Sequence, residues 1–228
     1  KRFSDFSQMR ERVAMKLIHT KSNETLLKEV PSIPFHDLSI VFYLFLDKDE
    51  HGQMTVLIRN DHLPIWNTDT SELYKLAIDN TPRLYPPCIR SMASLINDML
   101  FVNGTLIQPS FAAASPNALD LTDSPIPLSI LTNTSGIFGA SAMLYPGVLK
   151  EFSKKIGHDL IILPSSVHEV LLLPYDSTYS FQEMADMVKD VNEKCVPVEE
   201  QLSNQVYYYS SAQDSIFLGG DPASRILS

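Results

Sequence analysis

Between Asp159 and Pro174 the chain reads D-L-I-I-L-P-S-S-V-H-E-V-L-L-L-P, which sets Ser165, Ser166, His168 and Glu169 between two apolar runs, Leu160–Leu163 and Val170–Leu173. Two hydroxyls, an imidazole and a carboxylate this close together are the raw material of a hydrolase. There a base takes the proton of a hydroxyl nucleophile and an acid orients the base. In an extended strand, residues two apart share a face, so Ser166 and His168 are neighbours and Glu169 points away. The strained G-x-S-x-G turn that exposes a nucleophile is absent. The same residues suit a plainer role, in which the serines close a turn and His168 finishes a strand pair with its nitrogens hydrogen-bonded. A one-turn helix capped by Ser166 is a third arrangement, but Pro174 leaves it little room.

Three pairs of possible metal ligands recur, His36-Asp37, Asp61-His62 and His168-Glu169. No H-E-x-x-H or C-x-x-C spacing orders them, so no metal and no cofactor is expected, and His36, Asp37, Asn60 and His62 stand as candidate binding residues. Asp47–Gly52 opens like a calcium loop and then fails, with His51 at the fifth position and Ile58 where a bidentate acid belongs. A solvated hairpin turn explains it better. Neither G-x-x-x-x-G-K-[ST] nor G-x-G-x-x-G occurs. The run Tyr207–Tyr209 has the chemistry to stack bases, although a half-buried edge strand is the simpler reading in an acidic chain.

These residues need elements to hold them. The two short apolar runs bounded by prolines read as strands buried on both faces. Leu38–Leu46 and Met54–Arg59, separated by the polar stretch Asp47–Gln53, read as an antiparallel hairpin, because the turn is too short for a crossover. Phe3, Phe6, Met9, Val13 and Leu17 recur at helical spacing and predict an amphipathic opening helix. A second helix at about 70–79 follows an Asp69/Glu72 capping box and ends at Thr81-Pro82. Pro86-Pro87 introduces another near 88–101. Ser129–Asn133 and Ala140–Tyr145 read as strands around a Thr134–Gly139 turn. A helix after Pro146-Gly147 turns Val148, Leu149, Phe152 and Ile156 inward and ends at Gly157. Ser180 and Glu183 cap the last helix, and Val206–Tyr209 is the last strand. Hairpins joined to amphipathic helices, without βαβ alternation, define an α+β class with two loosely similar halves.

Residues 108–128 carry four prolines and no positive charge. They divide the chain into an α+β lobe at 1–107 and another at 129–228, with 108–128 as linker or long surface loop, unless the whole is one continuous domain. At 228 residues, 44% hydrophobic and 20% charged, the composition is that of a globular protein able to bury a core. The net charge of −9 opposes binding to nucleic acid or an anionic membrane. The longest apolar run is about seven residues, Ile40–Leu46, against the ~20 that a membrane-spanning helix needs. Two cysteines about a hundred positions apart make no disulfide framework, which points to the cytoplasm.

Several phrases, taken in order, resemble a bacterial family catalogued only as a domain of unknown function. They are F-H-D-L-S-I-V-F-Y (35–43), L-I-R-N-D-H-L (57–63), N-T-P-R-L (80–84), I-L-T-N (130–133), A-M-L-Y-P-G-V-L (142–149) and L-P-S-S-V-H-E-V (163–170). The resemblance runs from about 35 to 210, departs at the 108–128 insert, and implies an intracellular bacterial protein without assigning it a reaction. The missing motifs then favour a soluble, non-enzymatic binding or accessory protein with a protein or small-molecule partner. The alternative is a hydrolase or metal-dependent enzyme built on Ser166, His168 and Glu169.

Overall fold

The computed structural model describes residues 6–49, 52–92 and 128–220. Within them two antiparallel sheets and a set of helices give the α+β architecture expected from the sequence. The first sheet holds β1 (Val13–His19), β2 (Ser32–Phe35), β3 (Leu38–Asp49) and β4 (Gly52–Leu57). β3 is its axis, paired with β1 along one edge and with β2 and then β4 along the other. The second sheet holds β5 (Pro87–Ser91), β6 (Ser129–Asn133), β7 (Leu160–Ser166), β8 (Glu169–Pro174), β9 (Tyr207–Ser210) and β10 (Ser215–Leu218), in the order β10-β9-β7-β8-β6-β5. The helices are α1 (Glu24–Leu27), α2 (His62–Trp66), α3 (Thr70–Leu84), α4 (Val148–Ile156) and α5 (Phe181–Cys195).

Strand alternation decides what each sheet buries. Val13, Met15 and Leu17 of β1 and Leu38, Ile40, Phe42 and Leu44 of β3 share one face. They join Leu160, Ile162, Val170, Leu172, Tyr207 and Tyr209 of the second sheet in one core. Leu73 and Ala77 of α3 and Leu149 of α4 close that core. Phe152 packs against it only partly buried. The intervening side chains of β7 and β8, Ile161, Leu163, Leu171 and Leu173, form a second core against Met184 and Val188 of α5. The β7–β8 pair is therefore buried on both faces, as its unbroken apolar runs require.

The sequence reading departs from the structure at five places. The opening helix is absent: short 3₁₀ turns at Phe6–Gln8 and Arg10–Arg12 lead into strand β1. Positions 13 and 17 fit both a helical and a strand period, and pairing with β3 decides for the strand. Residues 87–91 are strand β5 rather than the start of a helix, because β6 offers a partner along their whole length. Residues 93–101 of that expected helix, and residues 108–127, lie outside the described residues. Gly139–Leu144 is a 3₁₀ helix, not a strand. α3 runs on through Pro82 to Leu84. β9 is fully buried and interior, because β10 pairs outside it.

The persistence of α3 past Pro82 has a tertiary cause. β1 is an edge strand whose free backbone groups need partners. Thr81 Oγ1 accepts from the Met15 N–H at 3.1 Å and donates to the Ala77 carbonyl at 2.5 Å. Asn80 Nδ2 donates to the carbonyls of Val13 (3.1 Å) and Arg10 (2.7 Å). The last turn of α3 thus seals the edge of β1. Asn80→Ala would leave the buried Val13 carbonyl unpaired and should destabilise the fold by ~1–3 kcal/mol in denaturant melts. A loss under about 0.5 kcal/mol would mean that water reaches that edge.

Candidate functional site

The Ser166–Glu169 segment is the turn of the β7–β8 hairpin, with Ser166 paired to Glu169. Ser165 lies where the register of β7 shifts between Leu163 and Ser166. The buried Ser166 Oγ accepts from the His168 backbone N–H at 3.1 Å, closing the turn. His168 Nδ1 accepts from the Phe138 N–H at 3.2 Å, which places the proton of the neutral ring on Nε2. Nε2 lies 3.6 Å from a Glu200 carboxylate oxygen. Burial raises the Glu169 carboxyl above the usual range; the His168 charge opposes this and the Glu200 charge adds to it. The structure thus gathers His168, Glu169 and Glu200, while the Ser166 hydroxyl and the His168 imidazole each answer to a backbone amide.

Phe138 is the hub beside them. It holds a left-handed φ of 54°, costly for a bulky residue, and its ring stacks at 13° to His168 with centroids 6.1 Å apart. The next residue must be glycine. A β-carbon on Gly139 would collide with Thr132 Oγ1 and the His168 carbonyl, which already share a 2.8 Å hydrogen bond. Lys16 Nζ sits 4.1 Å from the Phe138 ring centroid, a cation–π contact.

The other candidates lie elsewhere. His36 and Asp37 form the turn between β2 and β3, His36 at φ 54° with Nε2 donating to the Ile216 carbonyl at 3.0 Å. Asp37 accepts hydrogen bonds from the hydroxyls of Tyr207 and Ser203, the latter at 2.6 Å, and lies 4.0 Å from His19 Nε2. Asn60 Nδ2 donates to the Lys28 carbonyl at 3.0 Å. His62 Nδ1 accepts from the Arg59 N–H at 3.1 Å, and its ring stacks on Trp66. No hydrogen bond, ion pair or ring contact among the described residues joins these groups to His168. Nor does any group of three or more His, Cys, Asp or Glu side chains there have metal-binding geometry.

The three tyrosines of β9 each find a carboxylate. Tyr207 donates to Asp37, Tyr208 to Asp159, and Tyr209 to Asp214 at 2.7 Å. Burial first, then the adjacent carboxylate, pushes all three hydroxyls far above the ordinary tyrosine range. A cleft of 570 Å³ opens at the start of α5, lined among others by Tyr175, Tyr179, Phe181, Gln182, Gln205 and Gly219. None of the candidate catalytic or binding residues read from the sequence lines it. Sequence reasoning also passed over Lys16, Tyr85, Tyr145 and Glu200. Read with a period of two, V-A-M-K-L-I would have marked Lys16 as the one charge in a buried strand.

The model of a family of unknown function, DUF5688, matches residues 1–211, and the chain is a member of that family. Comparison with the curated proteins and with the solved structures finds no match.

Asp159 sets an acid limit on the fold. Burial raises its carboxyl, but bonds from Ser211 (N–H at 2.9 Å, Oγ at 2.5 Å) and Tyr208 outweigh this and hold it below the usual range. A folded pKa below the unfolded one contributes stability present above the unfolded value, ~3.9, and lost as pH falls through the folded value. Asp159→Asn should therefore flatten the fall in stability below about pH 5. Wild-type and variant stability curves that stay parallel to about pH 2 would show that the carboxylate makes no such contribution.

Proposed function

We propose that this is a non-enzymatic binding or accessory protein of the bacterial cytoplasm, acting on a protein or small-molecule partner and not on nucleic acid or a membrane. One observation carries the reading: the hydroxyl and the imidazole that a hydrolase would couple are turned to separate backbone donors. Ser166 Oγ receives the His168 amide, and His168 Nδ1 receives the Phe138 amide. General-base activation needs the imidazole nitrogen and the nucleophile in mutual reach. Here the remaining nitrogen faces Glu200 instead. The net charge of −9 supports the exclusion of polyanions. For the compartment, both cysteines are free and no helix among the described residues is long and apolar enough to cross a membrane. The family resemblance supports bacterial origin.

The competing reading, a hydrolase or metal-dependent enzyme using Ser166, His168 and Glu169, draws on the raised Glu169 carboxyl beside His168. Ester, phosphoester and amide substrates separate the two. The wild-type chain should turn over none of them faster than His168→Gln or Ser166→Ala. A wild-type rate that falls ~100-fold or more in a folded His168→Gln variant would establish the enzyme.

A further inference from the structure

We propose that the cleft at the start of α5 binds a small neutral saccharide, held by aromatic rings on one side and uncharged polar groups on the other; this names the ligand class of the binding reading above and rests on it. The cleft follows from how the chain leaves β8. The Tyr175 N–H donates to the Asp159 carbonyl at 2.8 Å, and Asp176 accepts from the Thr178 N–H and hydroxyl, both at 2.8 Å. The Tyr179 N–H returns to the Asp176 carbonyl at 3.1 Å, and Ser180 Oγ caps α5 by accepting from the Glu183 N–H at 3.3 Å. Just past β10, the Gly219 N–H donates to the Val206 carbonyl at 2.7 Å. A β-carbon on Gly219 would lie 2.5 Å from the Phe181 ring, so only glycine lets α5 and the strand end close on each other. The walls are thus fixed before a ligand arrives, which lowers the ordering cost of binding.

The cleft volume, 570 Å³, falls within the ~300–1,000 Å³ of small-molecule sites. No charged residue lines it, although 20% of the chain is charged. Tyr175, Tyr179 and Phe181 supply aromatic surface. The Tyr175 and Phe181 rings lie within 16° of parallel with centroids 6.2 Å apart, and Tyr208 of β9 supports Tyr175 edge-on at 5.0 Å. The phenols of Tyr175 and Tyr179, the Ser177 hydroxyl and the Gln205 amide make no hydrogen bond to another described residue. The Gln182 amide nitrogen donates to Asp186 at 3.0 Å, which leaves its carbonyl oxygen as an acceptor.

Charge and polarity together select the ligand. An anion would meet no cation in the cleft and the field of a chain with net charge −9, while a cation would meet no carboxylate. A wholly apolar ligand would strip water from the phenols, the amides and the serine hydroxyl without replacing their bonds. A saccharide answers both demands. Its hydroxyls are donors and acceptors at once, as the glutamine amides and tyrosine phenols are. The C–H side of its ring suits the electron-rich face of an aromatic side chain. Glycoside cleavage calls on a pair of Asp or Glu side chains flanking the bond, and none lines this cleft, so the sugar is held without being cut.

The full-length chain should be mixed with maltose, cellobiose, lactose and N,N′-diacetylchitobiose, and binding read by saturation-transfer NMR and then by titration. Adenosine serves as the neutral heteroaromatic control and a sulfated heparin disaccharide as the charged one. At least one neutral disaccharide should bind saturably with a Kd of about 1 mM or tighter, about 10-fold or more tighter than either control. Its ring C–H protons should carry the strongest saturation. Phe181→Leu should weaken that binding about 10-fold or more. Phe181 also packs on the core beneath α5, so Gln205→Ala, at an exposed position, keeps the test independent of folding and should weaken binding about 5-fold. No saturable binding of any disaccharide, equal or tighter binding of a control, or binding indifferent to both substitutions overturns the site. Chromatography of the recovered sugar separates this proposal from the broader reading. A chain that ignores the saccharides and is inert in the hydrolase assays loses only this ligand, whereas cleavage of a bound disaccharide leaves the site standing and ends the non-enzymatic reading.

Discussion

Asp37 is the constraint on which the two-sheet arrangement depends. It sits in the turn between β2 and β3 of the first sheet and accepts from Tyr207 and Ser203, which belong to the second sheet and the segment leading into it. The Tyr207 phenol is buried and would carry a desolvation cost if left alone, while the Asp37 carboxylate is only partly buried. Together they satisfy one another, and His36 adds a bond to the Ile216 carbonyl on β10. The shared apolar core supplies the bulk of the stabilisation, as area burial does in most domains. It is non-directional, however, and the hydrogen bonds to Asp37 fix how one sheet is set against the other.

The same logic runs through β9. Three successive tyrosines alternate faces, so a single acceptor cannot serve them, and the chain provides Asp37, Asp159 and Asp214 from three separate places. Placing aromatic mass in the interior thus commits three acids to structure. His168 is handled alike, with its ring stacked on Phe138 and Nδ1 bonded to a backbone amide. Among the described residues, the buried polar atoms without a hydrogen-bond partner are Gln53 Oε1, Thr68 Oγ1, Asn192 Oδ1, Ser210 Oγ and the phenols of Tyr85 and Tyr145.

Much of the fold was legible because local signals and tertiary environment agree. The β3–β4 and β7–β8 hairpins, the Asp69 and Ser180 caps and the Gly157 stop all form, since apolar period and cap chemistry act over a few residues. The misreadings share one cause. β1 and β5 owe their state to partners distant in sequence, and the 3₁₀ segment at 139–144 owes its path to the crowding of Gly139 against Thr132 and the His168 carbonyl. The candidate site was legible as a cluster around His168 but not in its wiring. Whether Ser166 faces the imidazole or closes a turn depends on the Phe138 amide, thirty positions away. Lys16 was hidden by reading a strand as a helix, which turned an interior cation into an ordinary member of a polar face.

A double-mutant cycle between Asp37→Asn and Tyr207→Phe, followed by denaturant unfolding, tests the claim that this pair joins the sheets. Each substitution removes the charge-assisted bond while keeping shape. The account expects a coupling energy of ~1–3 kcal/mol, the range of hydrogen bonds to charged groups. A coupling under about 0.3 kcal/mol, with the two single variants simply additive, would contradict it.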